Sequence, residues 1–317
     1  MPTFFLVGAA GSGTTSLYEY LGQHPEIYTS PLKCPSYFAA DIRPEGFWPD
    51  FQRSWAIAQR GLDEYLDGPM RKRRAGQVFT WGQYLKLFKN VRDEKAIGEA
   101  SVAYLWSETA ARDIRRTLPT AKILIVLRDP VERAFTGYCQ ARVQGWLRLS
   151  FREAIDADLR QGRNRFGVSL LALEAGLYHA HVKRFLEHFP AEQVRVYLYE
   201  QYATDPVGML RDIFSFLGVD PSFTPDLSVR AHRSRTPRLP ATLALAARVV
   251  RPAVARRMIP GPLWTILRTV LYRSERPLME PEDRASLLDY YRNDVRLLSE
   301  LLARDLTHWL RDPAAVA

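Results

Sequence analysis

Hydrophobic positions fall into two alternating patterns. Short continuous apolar runs are separated by longer stretches of helical period. The first run, Thr3 to Val7, reads as a buried strand and passes directly into Gly8-Ala9-Ala10-Gly11-Ser12-Gly13-Thr14-Thr15. A helical pattern with Leu17, Tyr18, Tyr20 and Leu21 follows and stops near Gly22 and Pro25. Ala96-Ile97-Gly98-Glu99 is a second strand candidate. Lys122-Ile123-Leu124-Ile125-Val126-Leu127 is a stronger one, and its unbroken apolar character suits a central parallel strand covered on both faces. A fourth strand is expected at Val194 to Tyr199. Helices are expected from Val131 to about Val143, over 151 to 161 and 167 to 188, from Val207 to Leu217 with a stop at Gly218, and from Glu282 to Leu302. Asp129 is placed to cap the first of these, with Pro130 in its opening turn. Residues 30 to 50, rich in Pro and aromatics, read as irregular. Residues 53 to 90 read as largely helical, broken by the basic run Arg71-Lys72-Arg73-Arg74, which is expected to be a solvated surface.

Strands alternating with helices predict an α/β fold, a three-layer sandwich around a central parallel sheet. No internal repeat is visible, and residues 1–317 read as a single domain with a variable basic insertion at about 241–274. That insertion holds six arginines (248, 251, 256, 257, 268 and 273) among apolar residues, with no acid. It is read either as solvated surface helices or as a flap that contacts the acceptor or a membrane surface.

With 47% hydrophobic and 25% charged residues, the 317-residue chain is neither disordered, collagen-like nor a coiled coil. Basic residues outnumber acidic ones, 44 to 35, for a net charge of +9. Such a balance favours an anionic ligand. A nucleic acid is not expected, because no recognition motif accompanies the charge. The two cysteines, Cys34 and Cys139, cannot form a disulfide framework or a four-cysteine zinc site. None of the six histidines shows metal-ligand spacing, so no metal is expected. No apolar run approaches the roughly 18 residues needed to span a bilayer, and the expected location is the reducing cytoplasm.

The strand, glycine turn and helix at the start carry the first chemistry. The opening amides of a helix lack intrahelical partners and sit at its positive end, and glycines let that backbone approach a phosphate closely. Gly8-x4-Gly13-Thr14-Thr15 has the spacing of a nucleotide-triphosphatase loop, but Thr14 stands where that loop has its lysine. Hydrolysis of ATP or GTP is therefore not expected. The loop still suits a phosphate, with hydroxyls from Ser12, Thr14, Thr15 and Ser16 as extra donors.

The sequence resembles the sulfotransferases that use 3′-phosphoadenylyl sulfate (PAPS), closest to their bacterial and heparan-sulfate-type branch. Gly8-Ala9-Ala10-Gly11-Ser12-Gly13-Thr14-Thr15-Ser16-Leu17 is similar to their 5′-phosphosulfate loop. Leu127-Arg128-Asp129-Pro130-Val131-Glu132-Arg133-Ala134-Phe135-Thr136-Gly137-Tyr138 is similar to their 3′-phosphate segment. Lys33-x-Pro35-x-Tyr37-Phe38, Gly98-Glu99-Ala100-Ser101, Gly176-x-Tyr178 and Pro237-Arg238 add further matches over about residues 3 to 238. The resemblance implies that Gly11, Ser12, Gly13, Thr14, Thr15 and Ser16 hold the 5′-phosphate of the donor, and that Arg128 and Thr136 hold its 3′-phosphate. It also implies that Arg235 and Arg238 close over the nucleotide. The implied reaction is transfer of the sulfuryl group to a hydroxyl or amine of a small-molecule, lipid or saccharide acceptor.

The departures fall on charged positions. Where the family has a lysine that polarises the bridging oxygen of the leaving phosphate, this chain has Gly11. Where heparan-type enzymes have a Glu that deprotonates the acceptor, it has Cys34. Lys33 is the best substitute cation, and Glu99 is a substitute base if it points inward. Cys34 is either a nucleophile or a packed, inert thiol. The alternative reading is a catalytically degenerate PAPS-binding or product-binding homologue with a regulatory role, in which restoring Gly11→Lys creates or raises transfer. His179 and His181 are expected on a solvated helix face, His24 in a structural turn, and Arg133 beside acidic neighbours.

Overall fold

The structure is a computed structural model that describes residues 1–161, 173–228, 236–237, 272–273 and 278–311. In chain order the described elements are β1 (Phe4–Gly8), α1 (Thr14–Leu21), β2 (Ile27–Thr29), α2 (Pro49–Gln59), α3 (Leu62–Asp67), α4 (Trp81–Lys86), β3 (Ala96–Ala100), α5 (Ala103–Trp106) and α6 (Ala110–Thr117). They continue with β4 (Lys122–Leu127), α7 (Pro130–Gln144), α8 (Phe151–Gln161), α9 (Tyr178–His188), β5 (Val194–Leu198), α10 (Tyr199–Thr204), α11 (Pro206–Leu217), β6 (Thr236–Pro237), β7 (Tyr272–Arg273) and α12 (Pro281–Leu302).

Strands β1 to β5 form one sheet in the order β2-β3-β1-β4-β5, and every pairing is parallel. Side chains alternate across a strand, and here both sides are covered. Phe4 and Leu6 of β1, with Leu124 and Val126 of β4, pack against Leu17 and Leu21 of α1 and Ile213 and Phe214 of α11. Phe5 and Val7, with Ile123, Ile125 and Leu127, face Ala134 of α7, Val182 and Phe185 of α9 and Tyr291 of α12. This double cover is why β1 and β4 read as continuous apolar runs, and it gives the three expected layers.

The layers also position the site. From β1 the chain turns into α1 on one face. From β4 it turns into α7 on the other. The loops after these neighbouring strands therefore part to opposite faces, which opens a crevice at the carboxyl ends of the strands. Asp129 caps α7 as expected, accepting the amides of Val131 (2.8 Å) and Glu132 (3.3 Å).

Four local expectations change. Of the helix expected over 167–188, residues 173–176 form a 3₁₀ turn and α9 starts only at Tyr178. β2 is an additional strand, only three residues long. Residues 53–90 divide into α2, α3 and α4, and residues 68–80 are not helical. The basic run is only partly solvated. Arg71, Lys72 and Arg74 are exposed, Lys72 while pairing with Glu19 at 2.7 Å. Arg73 exchanges backbone hydrogen bonds with Pro31 and Lys33, both 2.8 Å, and its guanidinium reaches the carbonyls of Ala58 and Arg60. The run thus ties α2 to the segment after β2. Arg235, Arg238, the 167–172 part of the expected helix and nearly all of 241–274 lie outside the described residues. Of that insertion only Tyr272 and Arg273 are described, in an antiparallel pairing with Thr236 and Pro237.

Candidate functional site

The loop Gly8–Gly13 leaves β1 and ends at α1. Gly11 (φ +83°) and Gly13 (φ +81°) occupy left-handed conformations that favour glycine. Gly13 is the residue before α1, no side chain caps the helix, and its first turn carries no acid. The positive end of α1 is therefore left for an external anion. Ser12 and Thr14 are buried in the loop, while Gly11, Gly13, Thr15 and Ser16 are half-buried.

Arg128, the first residue after β4, spans the crevice. Its Nη1 donates to the Gly11 carbonyl at 3.2 Å and to Thr136 Oγ1 at 3.0 Å. Its guanidinium lies 4.6 Å from the centre of the Tyr199 ring. An ion pair with Glu132 at 3.8 Å is longer, and Glu132 is also paired with Arg284. The structure thus brings the glycine loop, Arg128 and Thr136 together. A cavity of about 390 Å³ opens beside Arg128, walled by Asp129, Glu132, Tyr199, Glu200 and Trp309. Burial pushes the Asp129 carboxyl up to about 6.

Lys33, Cys34 and Glu99 meet at the carboxyl ends of β2 and β3. The Cys34 amide donates to the Ala100 carbonyl at 2.8 Å. Lys33, only 6% exposed, donates from Nζ to Cys34 Sγ at 3.6 Å. Glu99 is 1% exposed. Its carboxylate accepts the hydroxyls of Ser101 (2.6 Å), Tyr104 (2.6 Å) and Tyr84 (3.2 Å). Burial pushes the Glu99 carboxyl up to about 7, against the pull of those hydroxyls and of Lys33. Glu99 does point inward, but into this cluster of hydroxyls.

The remaining expectations sort by burial. His24 is structural: its Nε2 meets the Asp220 carbonyl at 3.0 Å, and its ring packs on Phe214 and Phe223. His181 is not on a solvated face. It is buried, and desolvation with Arg184 and Arg133 nearby holds it neutral, its pKa lowered to about 3. Arg133 is buried beside Tyr178 and Tyr291, and its Cγ lies 3.2 Å from where a Gly11 side chain would begin. Sequence reasoning gave no role to Tyr199 or to the Glu99 partners Tyr84, Tyr104 and Ser101, although Ser101 lay in the Gly98-Glu99-Ala100-Ser101 match and Tyr199 at the end of the last expected strand.

The model described as the sulfotransferase family matches residues 2–225. The bifunctional heparan sulfate N-deacetylase/N-sulfotransferase 3 of Homo sapiens is 28% identical over 226 residues, covering 70% of this chain and 23% of that protein. The corresponding enzyme 2 of Bos taurus is 25% identical over 318 residues, covering 98% of this chain and 31% of that protein. The chain therefore spans less than a third of the length of these relatives. A crystal structure of a sulfotransferase from Alicyclobacillus acidocaldarius superposes with a TM-score of 0.72 and is 33% identical, covering 98% of this chain and 99% of that one. Among the described residues no helix is long and apolar enough to cross a membrane.

Proposed function

Because the chain belongs to the sulfotransferase family, we propose that it transfers the sulfuryl group of PAPS to a hydroxyl or amine of a small-molecule, lipid or saccharide acceptor. The observation that carries this reading is the Arg128 guanidinium held between Gly11 and Thr136, which sets both phosphate motifs on one crevice. Ser12 to Ser16 at the open start of α1 would hold the 5′-phosphosulfate. Arg128 and Thr136 would hold the 3′-phosphate, since a guanidinium fork matches phosphate oxygens. Arg235 and Arg238 keep the role of closing over the nucleotide.

PAPS supplies the sulfuryl group. The acceptor atom forms the new bond to sulfur, its proton passes to a base, and adenosine 3′,5′-bisphosphate departs. Lys33, whose Nζ lies 3.6 Å from Cys34 Sγ, would offset charge on the leaving oxygen in place of the lysine absent at Gly11. Cys34 occupies the base position. Glu99 orders this loop, because its carboxylate is enclosed by three hydroxyls. The two cysteines are free, in keeping with a reducing, cytoplasmic setting. We keep the basic 241–274 insertion as an acceptor- or membrane-contacting flap on a single domain.

The test is a calorimetric titration with adenosine 3′,5′-bisphosphate, followed by transfer of labelled sulfate from PAPS to an acceptor extract. Binding with transfer is the expected result, and absence of nucleotide binding refutes it. Gly11 and Cys34 also favour a second reading, a nucleotide-binding homologue that transfers nothing. Binding without transfer across acceptors would select it.

A further inference from the structure

Building on the sulfotransferase reading, we propose that Cys34 is a modification site. A hydroperoxide oxidises its thiol to a sulfenic acid, Lys33 holds the new oxygen, and transfer stays off until a small-molecule thiol restores the cysteine. In an extended strand the side chains of neighbouring residues point to opposite faces. The left-handed backbone of Cys34 (φ 62°) breaks that alternation, and Lys33 Nζ donates to Cys34 Sγ at 3.6 Å. Backbone bonds hold the pair on both sides. The Lys33 amide donates to the Arg73 carbonyl and the Cys34 amide to the Ala100 carbonyl, each at 2.8 Å.

The Lys33 ammonium lacks a counter-ion. Lys33 is only 6% exposed, and among the described residues it forms no ion pair; its side chain donates to the Cys34 sulfur. Glu99 is turned instead to the hydroxyls of Ser101, Tyr104 and Tyr84. A buried charge without a partner is costly. Oxidation places on the sulfur an oxygen that accepts from Nζ, and the ammonium offsets the charge that develops on the departing peroxide oxygen. Access separates the two thiols: Cys34 is partly exposed, whereas Cys139 is buried in α7. The reducing thiol therefore comes from solution.

With hydrogen peroxide, Cys34 Sγ attacks one oxygen, so the S–O bond forms as the O–O bond breaks. The departing hydroxide takes the thiol proton and leaves as water. Sulfur gives up two electrons and the peroxide gains them. In reversal, a thiol attacks the sulfenic sulfur and expels water, leaving a mixed disulfide. A second thiol then releases Cys34 and departs with the first as their disulfide. While oxidised, Cys34 cannot take the acceptor proton, and Lys33 is drawn to the sulfenic oxygen. Arg128 and Thr136 are untouched, so the nucleotide still binds.

The experiment exposes the protein to hydrogen peroxide with excess dimedone, which traps sulfenic acids, and reads the adducts by peptide mass spectrometry. The expected result is an adduct on Cys34 and none on Cys139. It should form about tenfold more slowly in Lys33→Met, the worth of one charge-assisted hydrogen bond, and recover in Lys33→Arg. Affinity for adenosine 3′,5′-bisphosphate checks that each variant is folded. No adduct on Cys34, equal labelling of both cysteines, or an unchanged rate in Lys33→Met overturns the proposal. In parallel, peroxide should abolish transfer and dithiothreitol restore it while nucleotide affinity holds, and transfer that survives oxidation of Cys34 overturns the switch. Failure of the sulfotransferase reading shows separately, as no transfer before treatment, because the adduct forms without it.

Discussion

The Ser101 hydroxyl donates to the buried Glu99 carboxylate at 2.6 Å, and its oxygen accepts the Ser36 amide at 3.0 Å. Two residues of that loop, Cys34 (φ 62°) and Ser36 (φ 50°), are non-glycine residues in left-handed conformations. Each such conformation costs on the order of 1–3 kcal/mol and persists only where its surroundings over-determine it. Glu99 supplies that constraint, through Ser101 to Ser36 and through Tyr104, whose hydroxyl oxygen accepts the Phe38 amide at 3.4 Å. The loop so held presents Lys33 and Cys34.

Glu99→Gln keeps the volume but replaces one acceptor oxygen with a donor facing hydroxyls. We expect a lower kcat with little change in nucleotide affinity. The pH profile separates positioning from general base catalysis. A positioning role leaves the ionisations that govern kcat/KM where they are, while a general base role removes one of them from the profile of the variant.

Glu99 also makes a stability prediction with a definite sign. Its carboxyl is raised from 4.5 to about 7 in the folded protein. Between those values the unfolded chain releases the proton and the folded one keeps it, so stability falls as pH rises from about 4.5 to 7 and then levels. The advantage of the wild type over Glu99→Gln should therefore shrink across that window, by on the order of 3 kcal/mol at 1.4 kcal/mol per unit. Urea unfolding at several pH values measures it, and a constant gap would show that Glu99 is not shifted.

Arg128→Ala should weaken binding of adenosine 3′,5′-bisphosphate by about 2 kcal/mol or more, the scale of a lost charged hydrogen-bond pair. Arg128→Lys should recover only part, since an ammonium lacks the fork. Calorimetry reads both, and wild-type affinity in the alanine variant would remove Arg128 from the donor site.

Lys33→Ala should lower kcat about a hundredfold to a thousandfold, the loss seen when one positioned donor is removed, while nucleotide affinity stays near wild type. Full transfer in this variant would show that the missing lysine is replaced from elsewhere.

Local patterns explain which parts were readable beforehand. β1 and β4 announce themselves because both of their faces are buried, and the Asp129-Pro130 cap is a signal between neighbours in sequence. The order of the two phosphate motifs placed Arg128 beside the glycine loop. β2 was missed because Ile27-Tyr28-Thr29 has too few residues to show a period. The Glu99 cluster was invisible because Tyr84, Ser101 and Tyr104 come from α4, the turn after β3 and α5, and only folding brings them to one carboxylate. Arg73 looked like surface charge because its targets are backbone carbonyls, which no residue pattern encodes.

Gly11→Lys, expected from sequence to raise transfer, carries a structural cost. Gly11 holds φ +83°, and a Cβ there would lie 3.2 Å from the Cγ of buried Arg133. Left-handed backbone costs an ordinary residue roughly 1–2 kcal/mol, and Arg133 has little room to yield. Asn tolerates this conformation better than most residues. Gly11→Lys should therefore melt below the wild type, and Gly11→Asn should fall between them. Thermal unfolding of the three proteins decides the matter: if the lysine variant melts with the wild type, the loop relaxes freely and the strain account fails.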